Sequence, residues 1–259
     1  MPEIAMVAAL EREVGPLVKD WPSADREYAG RKFRFFENEN CVVVCGGIGA
    51  EAARRAAEAV IALYEPREVW SVGFAGALEK QLRVGELVQA RQVVDAQDGS
   101  RVDTGSGGGV LVSFSSVAGE EQKAKLAKAY GAQAVDIEAT SVAKSAQAHG
   151  LTFAVVKVIS DELGFPMPPM EKFTAADGSF RTGHFVLYAA KRPWVWGAVI
   201  RLARNSEKAA RALCADLQER VLITRGEGLS VQGDGTQGPS TPRSEALRSP
   251  EFSGRDDRV

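Results

Sequence analysis

The chain has 259 residues, 45% of them hydrophobic and 25% charged, which is ordinary globular composition. Its 32 basic and 34 acidic residues are well mixed and leave a formal net charge of −2, so the overall charge gives no reason to expect DNA, RNA or an anionic membrane as a partner. Three cysteines, Cys41, Cys45 and Cys214, make no disulfide framework and fit a reducing cytoplasm, and no apolar run reaches the roughly eighteen residues of a membrane span.

The N-terminus lacks the basic and long apolar regions of a signal peptide and runs straight into an apolar stretch, Ile4–Ala9, that reads as a buried strand. A helix is expected over Glu11–Asp20. Lys32–Glu37 and Cys41–Cys45 read as two strands split by the turn-rich triplet Asn38-Glu39-Asn40. Ala50–Tyr64 carries an apolar stripe of Ala53, Ala57, Val60 and Ile61 at helical spacing. Strands follow at Glu68–Gly73 and Glu86–Val94, then a Gly- and Ser-rich loop from Gly99 to Gly109. Val110–Ser115 and Ala134–Ile137 read as strands flanking a helix at Glu120–Tyr130. A helix at Ala139–His149 leads into Phe153–Ile159, the most continuous β-branched run of the chain. Strands that are apolar throughout and spaced by helices imply an α/β fold with a mostly parallel sheet covered on both faces. One domain over 1–222 is expected. Residues 223–259 are rich in Gly, Ser, Pro, Thr, Gln and Arg, and such a segment buries too little surface to offset its ordering entropy, so it is expected to be disordered.

Sheets of this kind hold ligands at the C-terminal ends of their strands, and four segments there offer polar groups. After the first strand come Glu11 and Glu13; acids in a helix's first turn also serve simply to complement its dipole. After the strand ending at Cys45, the small residues Gly46, Gly47, Ile48 and Gly49 let backbone N–H groups approach an anion or a sugar. Gly47, Gly49 and Ala52 also match the spacing G-x-G-x-x-A of dinucleotide sites. The acids that such a site needs, Glu65 and Glu68, precede the next strand and stand at the wrong edge of the sheet, which argues against a nicotinamide cofactor. The third segment is Gly73-Phe74-Ala75-Gly76. The fourth is a pair, Asp136-Ile137-Glu138 and Lys157 to Ser160-Asp161, with carboxylates at the ends of apolar strands, where they are costly unless paired or functional; helix capping is the plainer use of each taken alone. His149 and His184 stand alone, Cys41 and Cys45 share one strand face and read as core, and neither a P-loop nor a serine-nucleophile elbow occurs, so no metal or cofactor is expected.

Taken in order, these segments resemble the bacterial 5′-methylthioadenosine/S-adenosylhomocysteine nucleosidase branch of the nucleoside phosphorylase/nucleosidase superfamily, from Ile4 to about Val221. The likeness lies in Ala9 to Val14, Gly47-Ile48-Gly49, Gly73 to Gly76, Leu82 to Val88, Val135 to Thr140 and Val158 to Asp161. It implies a three-layer sandwich with a mixed, mostly parallel central sheet, and cleavage of the N-glycosidic bond of a purine nucleoside. By the same resemblance, Asp161 is the general acid toward the base and Glu13 orients or deprotonates the attacking water. Glu138 holds ribose hydroxyls and Ile137 packs on the sugar. Asp136, Gly47, Ile48, Gly49, Phe74, Ala75, Gly76, Lys157 and Ser160 are the further substrate-binding candidates. A homodimer is implied too. Two departures touch the nucleophile: Phe74 stands where the family has Ser, and Lys157 where it has Arg, so a charge is kept without its planar fork. Two alternatives to a water-using nucleosidase stay open, a phosphate-dependent phosphorylase and a nucleoside-binding protein without catalysis. The stretch from Lys191 to Arg204 resembles hopanoid-associated phosphorylases, and the apolar segment Leu163–Met170 is a candidate wall for a bulky 5′ substituent; a packed C-terminal helix with an entry loop explains the same residues.

Overall fold

The computed structural model describes residues 2–168, 170–175 and 178–230; of the side chains at 170, 171 and 223–230 nothing is said. The strands are β1 (Ile4–Ala8), β2 (Ser23–Tyr28), β3 (Arg31–Glu37), β4 (Cys41–Cys45), β5 (Glu68–Ala77), β6 (Leu87–Val88), β7 (Gln92–Asp95), β8 (Arg101–Asp103), β9 (Val110–Ser113), β10 (Ala134–Asp136) and β11 (Thr152–Asp161). The helices are α1 (Glu11–Val18), α2 (Ala50–Tyr64), α3 (Glu120–Tyr130), α4 (Ala139–Ala148), α5 (Thr182–Ala190) and α6 (Trp196–Ser230).

All eleven strands join one mixed sheet, in the order β2-β3-β4-β1-β5-β10-β9-β7-β8, with β11 lying along β5 and β6 along β11. Its centre is parallel: β4 with β1, β1 with β5, β5 with β11, β10 with β9 and β9 with β7. Antiparallel pairs include the β2–β3–β4 meander at one edge and, within the sheet, the join of β10 to β5. Period-two alternation explains why the central strands are apolar throughout. In β1, Ala5 and Val7 join one core cluster, with α2 and α4, while Ile4, Met6 and Ala8 join the other, with α1 and α6. Val42 and Val44 of β4 face the first cluster, and Cys41 and Val43 the second. Three layers result, helices over both faces of the sheet, and no described helix is long and apolar enough to cross a membrane.

Several boundaries differ from expectation. The span 86–94 is two strands rather than one: Leu87–Val88 pairs with β11, whereas Gln92–Asp95 pairs with β9. The glycine-rich loop holds the short strand β8, paired with β7. β2 was not foreseen, because Ser23-Ala24-Asp25-Arg26-Glu27-Tyr28 is a largely exposed edge strand in which only Ala24 and Tyr28 turn partly inward, too short a pattern to reveal it. The third candidate segment does not end β5; that strand runs on through Gly76 and Ala77 to pair with β10. The boundary at 222 falls inside α6, which continues to Ser230, and residues 231–259 lie outside the described residues.

Candidate active site

The site forms where β1, β4, β5, β10 and β11 end. Glu13 leaves the first turn of α1, and its buried carboxylate turns back to the strand ends, with Oε2 3.5 Å from the Leu10 N–H. Room for it exists only because residue 73 is a glycine: with φ at +136°, a Cβ built there would stand 2.7 Å from Glu13 Oε2. Burial raises the affinity of Glu13 for its proton, and Lys157 partly offsets that.

Asp136 closes β10 and is committed on all sides. Its Oδ1 accepts from Ser113 Oγ at 2.6 Å and its Oδ2 from the Ala139 N–H at 2.9 Å, while Lys157 Nζ lies 2.9 Å from Oδ2. Ser113 Oγ in turn accepts from the Thr140 N–H at 3.1 Å. Asp136 and Ser113 thus cap the first turn of α4 and fix the residue between strand and helix, Glu138. That side chain reaches across to the loop between β4 and α2, where its Oε1 accepts from the Gly49 N–H at 3.1 Å. Burial first, then the neighbouring Asp136 and Glu13, push the Glu138 carboxyl up to about 7 in spite of Lys157. Lys157 is 2% exposed; burial works against its charge, but Asp136, Glu138 and Glu13 outweigh it and hold its proton more tightly than usual.

At the end of β11, Asp161 Oδ1 accepts from Ser160 Oγ at 2.8 Å, and Oδ2 forms an ion pair with Lys123 Nζ. Lys123 also donates to the Glu162 carbonyl at 2.9 Å and is 2% exposed. The β5–β11 register shifts at this point, where Asp161 pairs with Gly76, and a Cβ on Gly76 would come within 3.0 Å of Asp161 Oδ2 and of the Lys123 side chain.

Glu13, Glu138 and Asp161 line one open cleft, together with Ile48, Phe74, Ala75, Gly76, Asp136, Ile137 and Ser160. Three candidates stand outside its lining. Lys157 lies behind it as counter-ion to the carboxylates. Gly47 and Gly49 were expected to offer N–H groups to a ligand, but those donors are already used: Gly47 to the Ala9 carbonyl at 2.9 Å and Gly49 to Glu138. Gly47 instead permits close passage of the chain, since a Cβ there would meet the Gly178 backbone at 3.0 Å. The Ile48 N–H donates to the Gly178 carbonyl at 2.7 Å. From the segment Leu163–Met170, Met167 reaches the cleft, Phe165 is buried beneath the Arg201 guanidinium, and Pro169 lies outside the described residues.

Sequence reasoning missed Lys123. The signal was there: Lys123 and Leu126 are the two buried positions of α3, three residues apart on one face, and a lysine on the buried stripe of a helix needs an acid nearby. Arg12, Val117, Thr174, Leu202 and Ser206, also in the lining, were missed because only tertiary packing brings them to the strand ends. Among the described residues no cluster of His, Cys, Asp or Glu could hold a metal.

Residues 3–117 match the family model described as the phosphorylase superfamily. The chain is similar to the 5′-methylthioadenosine/S-adenosylhomocysteine nucleosidase of Marinomonas sp. (strain MWYL1), 33% identical over 98 residues; the match spans 36% of this chain and less than half, 42%, of that one. Its fold is that of the Helicobacter pylori 5′-methylthioadenosine/S-adenosylhomocysteine nucleosidase crystallised with butyl-thio-DADMe-Immucillin-A, with a TM-score of 0.63 at 20% identity over 85% of this chain and 98% of the other. The futalosine hydrolase of the same organism has a TM-score of 0.59 at 20% identity, over 84% and 98%. These folds share the mixed sheet between helices described above.

Proposed function

We propose that the protein cleaves the bond between a purine base and its sugar, acting on an adenosine derivative with a 5′ substituent and using water as nucleophile. The convergence of Glu13, Glu138 and Asp161 on one cleft carries this reading. Breaking the C1′–N9 bond leaves positive charge on the sugar and negative charge on the base. Asp161 faces the base and relays to N7 a proton drawn from the Lys123 ammonium behind it, and the proton that Glu13 takes from water recharges Lys123 by way of solvent. Glu138 accepts hydrogen bonds from the ribose hydroxyls, and Ile137 packs on the sugar. Glu13 takes the proton of the water that adds to C1′, and its raised proton affinity suits a base. The products are free base and a ribose that has gained the water oxygen; a proton given at N7 and one taken from water balance.

Two observations favour water over phosphate. The N–H groups of Gly46, Gly47, Ile48 and Gly49 are all donated within the protein, and Lys157 is held by Asp136. An entering phosphate would have to displace these contacts. Beyond the cleft, and sharing Arg12, Leu202 and Ser206 with it, lies a largely apolar groove lined by Phe180, Phe185 and Val199, which suits an apolar 5′ substituent. The deciding experiment follows adenine release by mass from a panel of 5′-substituted adenosines, with and without phosphate. Release without phosphate, abolished in Asp161→Asn, supports the reading. Release only with phosphate makes the protein a phosphorylase, and binding without any release makes it a nucleoside-binding protein.

A further inference from the structure

A different feature lies on the outside. Between α5 and the first turns of α6, large apolar side chains stand in solvent: Val186 is 58% exposed, Leu187 57%, Trp194 77%, Trp196 49% and Ile200 51%. The segment bearing them is held firmly. Phe173 and Phe185 pack beneath it with Tyr188, Val199 and Leu202, the Trp196 indole N–H donates to the Ala189 carbonyl at 2.8 Å, and the Arg192 guanidinium covers the Tyr188 ring at 4.0 Å. Its charge is one-sided. From Gly178 to Ser206 the sequence carries Arg181, Lys191, Arg192, Arg201 and Arg204 and not one acidic residue, although the whole chain is slightly negative.

We propose that this surface docks the protein on an anionic phospholipid membrane. Indole rings favour the headgroup level of a bilayer, aliphatic side chains reach just below it, and Lys and Arg keep their charge among the headgroup anions while their stems lie on apolar surface. Glu207, which also lines the groove, is paired with Arg211 and leaves the five cations of the segment in excess, so exposed apolar surface and net positive charge together are complementary to such a membrane. This surface is poorly suited to a second copy of the chain, because a two-fold contact would set the same cations against each other. Val186 also lines the apolar groove beside the cleft, so the groove opens where the bilayer would lie. The docking itself does not depend on which bond the cleft cleaves.

The test is sedimentation of the full-length protein with vesicles of phosphatidylglycerol in phosphatidylcholine, against vesicles of phosphatidylcholine alone. Binding to the first and not the second is expected, weakened by added salt. Each basic side chain near an anionic surface is worth about fivefold in partitioning, so Lys191→Gln/Arg204→Gln should bind about 25-fold more weakly. Trp194→Ser/Ile200→Ser should lose binding as well, with the circular dichroism and thermal midpoint of the parent retained. Failure to bind either vesicle, equal binding to both, or full binding by the variants overturns the proposal. So does a Trp194→Ser/Ile200→Ser protein that turns from dimer to monomer in sedimentation velocity, since the surface would then join two copies.

Discussion

Replacing Lys123 with methionine removes one charge from a buried ion pair while nearly keeping the side chain's length. The Lys123 and Asp161 side chains are 2% and 7% exposed, so water cannot solvate the carboxylate left behind. Removing one partner of such a pair costs about 3–5 kcal/mol, whereas replacing both by apolar groups of similar volume is close to neutral. Lys123→Met should therefore lower stability by about 4 kcal/mol and the midpoint by roughly 10 °C for a domain of this size. The double variant Lys123→Met/Asp161→Leu should recover most of that loss. Urea unfolding followed by circular dichroism, run on both singles and the double, measures the coupling directly. Activity should not follow stability: all three variants should release base about 10²–10⁴-fold more slowly, because each lacks part of the proposed proton path. A single variant within about 1 kcal/mol of the parent, or single costs that simply add in the double, would refute the buried pair as drawn.

Gly73→Ala should slow turnover about 100-fold with little change in KM, because its Cβ would displace the Glu13 carboxylate proposed to hold the water, and misplacement of a catalytic group by about 1 Å costs that much; steady-state kinetics with kcat at the parent's level would show that the glycine does not shape the site. Folded Glu138 keeps its proton up to about 7, whereas an unfolded glutamate releases it near 4.5, so its contribution to stability falls as pH rises between those values and is flat above. The size is on the order of 3 kcal/mol, and Glu138→Gln should flatten that part of the profile of urea midpoint against pH. An unchanged slope in the variant would mean that another group titrates.

The overall charge and the local charge of this chain tell different stories. A net charge of −2 gave no reason to expect an anionic partner, yet the cations from Arg181 to Arg204 meet no acid in their own segment. An average over the chain cannot report where charge is placed.

Much was legible before any fold was known, for definite physical reasons. Apolar runs such as Ile4–Ala8 and Cys41–Val44 can be satisfied only between two layers of helices, which specifies a covered, largely parallel sheet. Carboxylates at 136, 138 and 161 stand out because they close apolar strands, where solvent cannot reach them cheaply. Short or polar elements stayed hidden: β2 and β8 each turn only one or two side chains, Ala24, Tyr28 and Val102, toward the core, too few for a periodic pattern. What tertiary structure alone decided is the division of labour among charges. It set Lys157 behind the cleft against Asp136, Lys123 against Asp161, and the Gly49 N–H on Glu138. Ion pairs and hydrogen bonds act over a few ångströms, and the partners here lie 21, 38 and 89 positions apart along the chain. Spacing in a sequence carries local periodicity; the pairing of distant side chains exists only once the chain has folded.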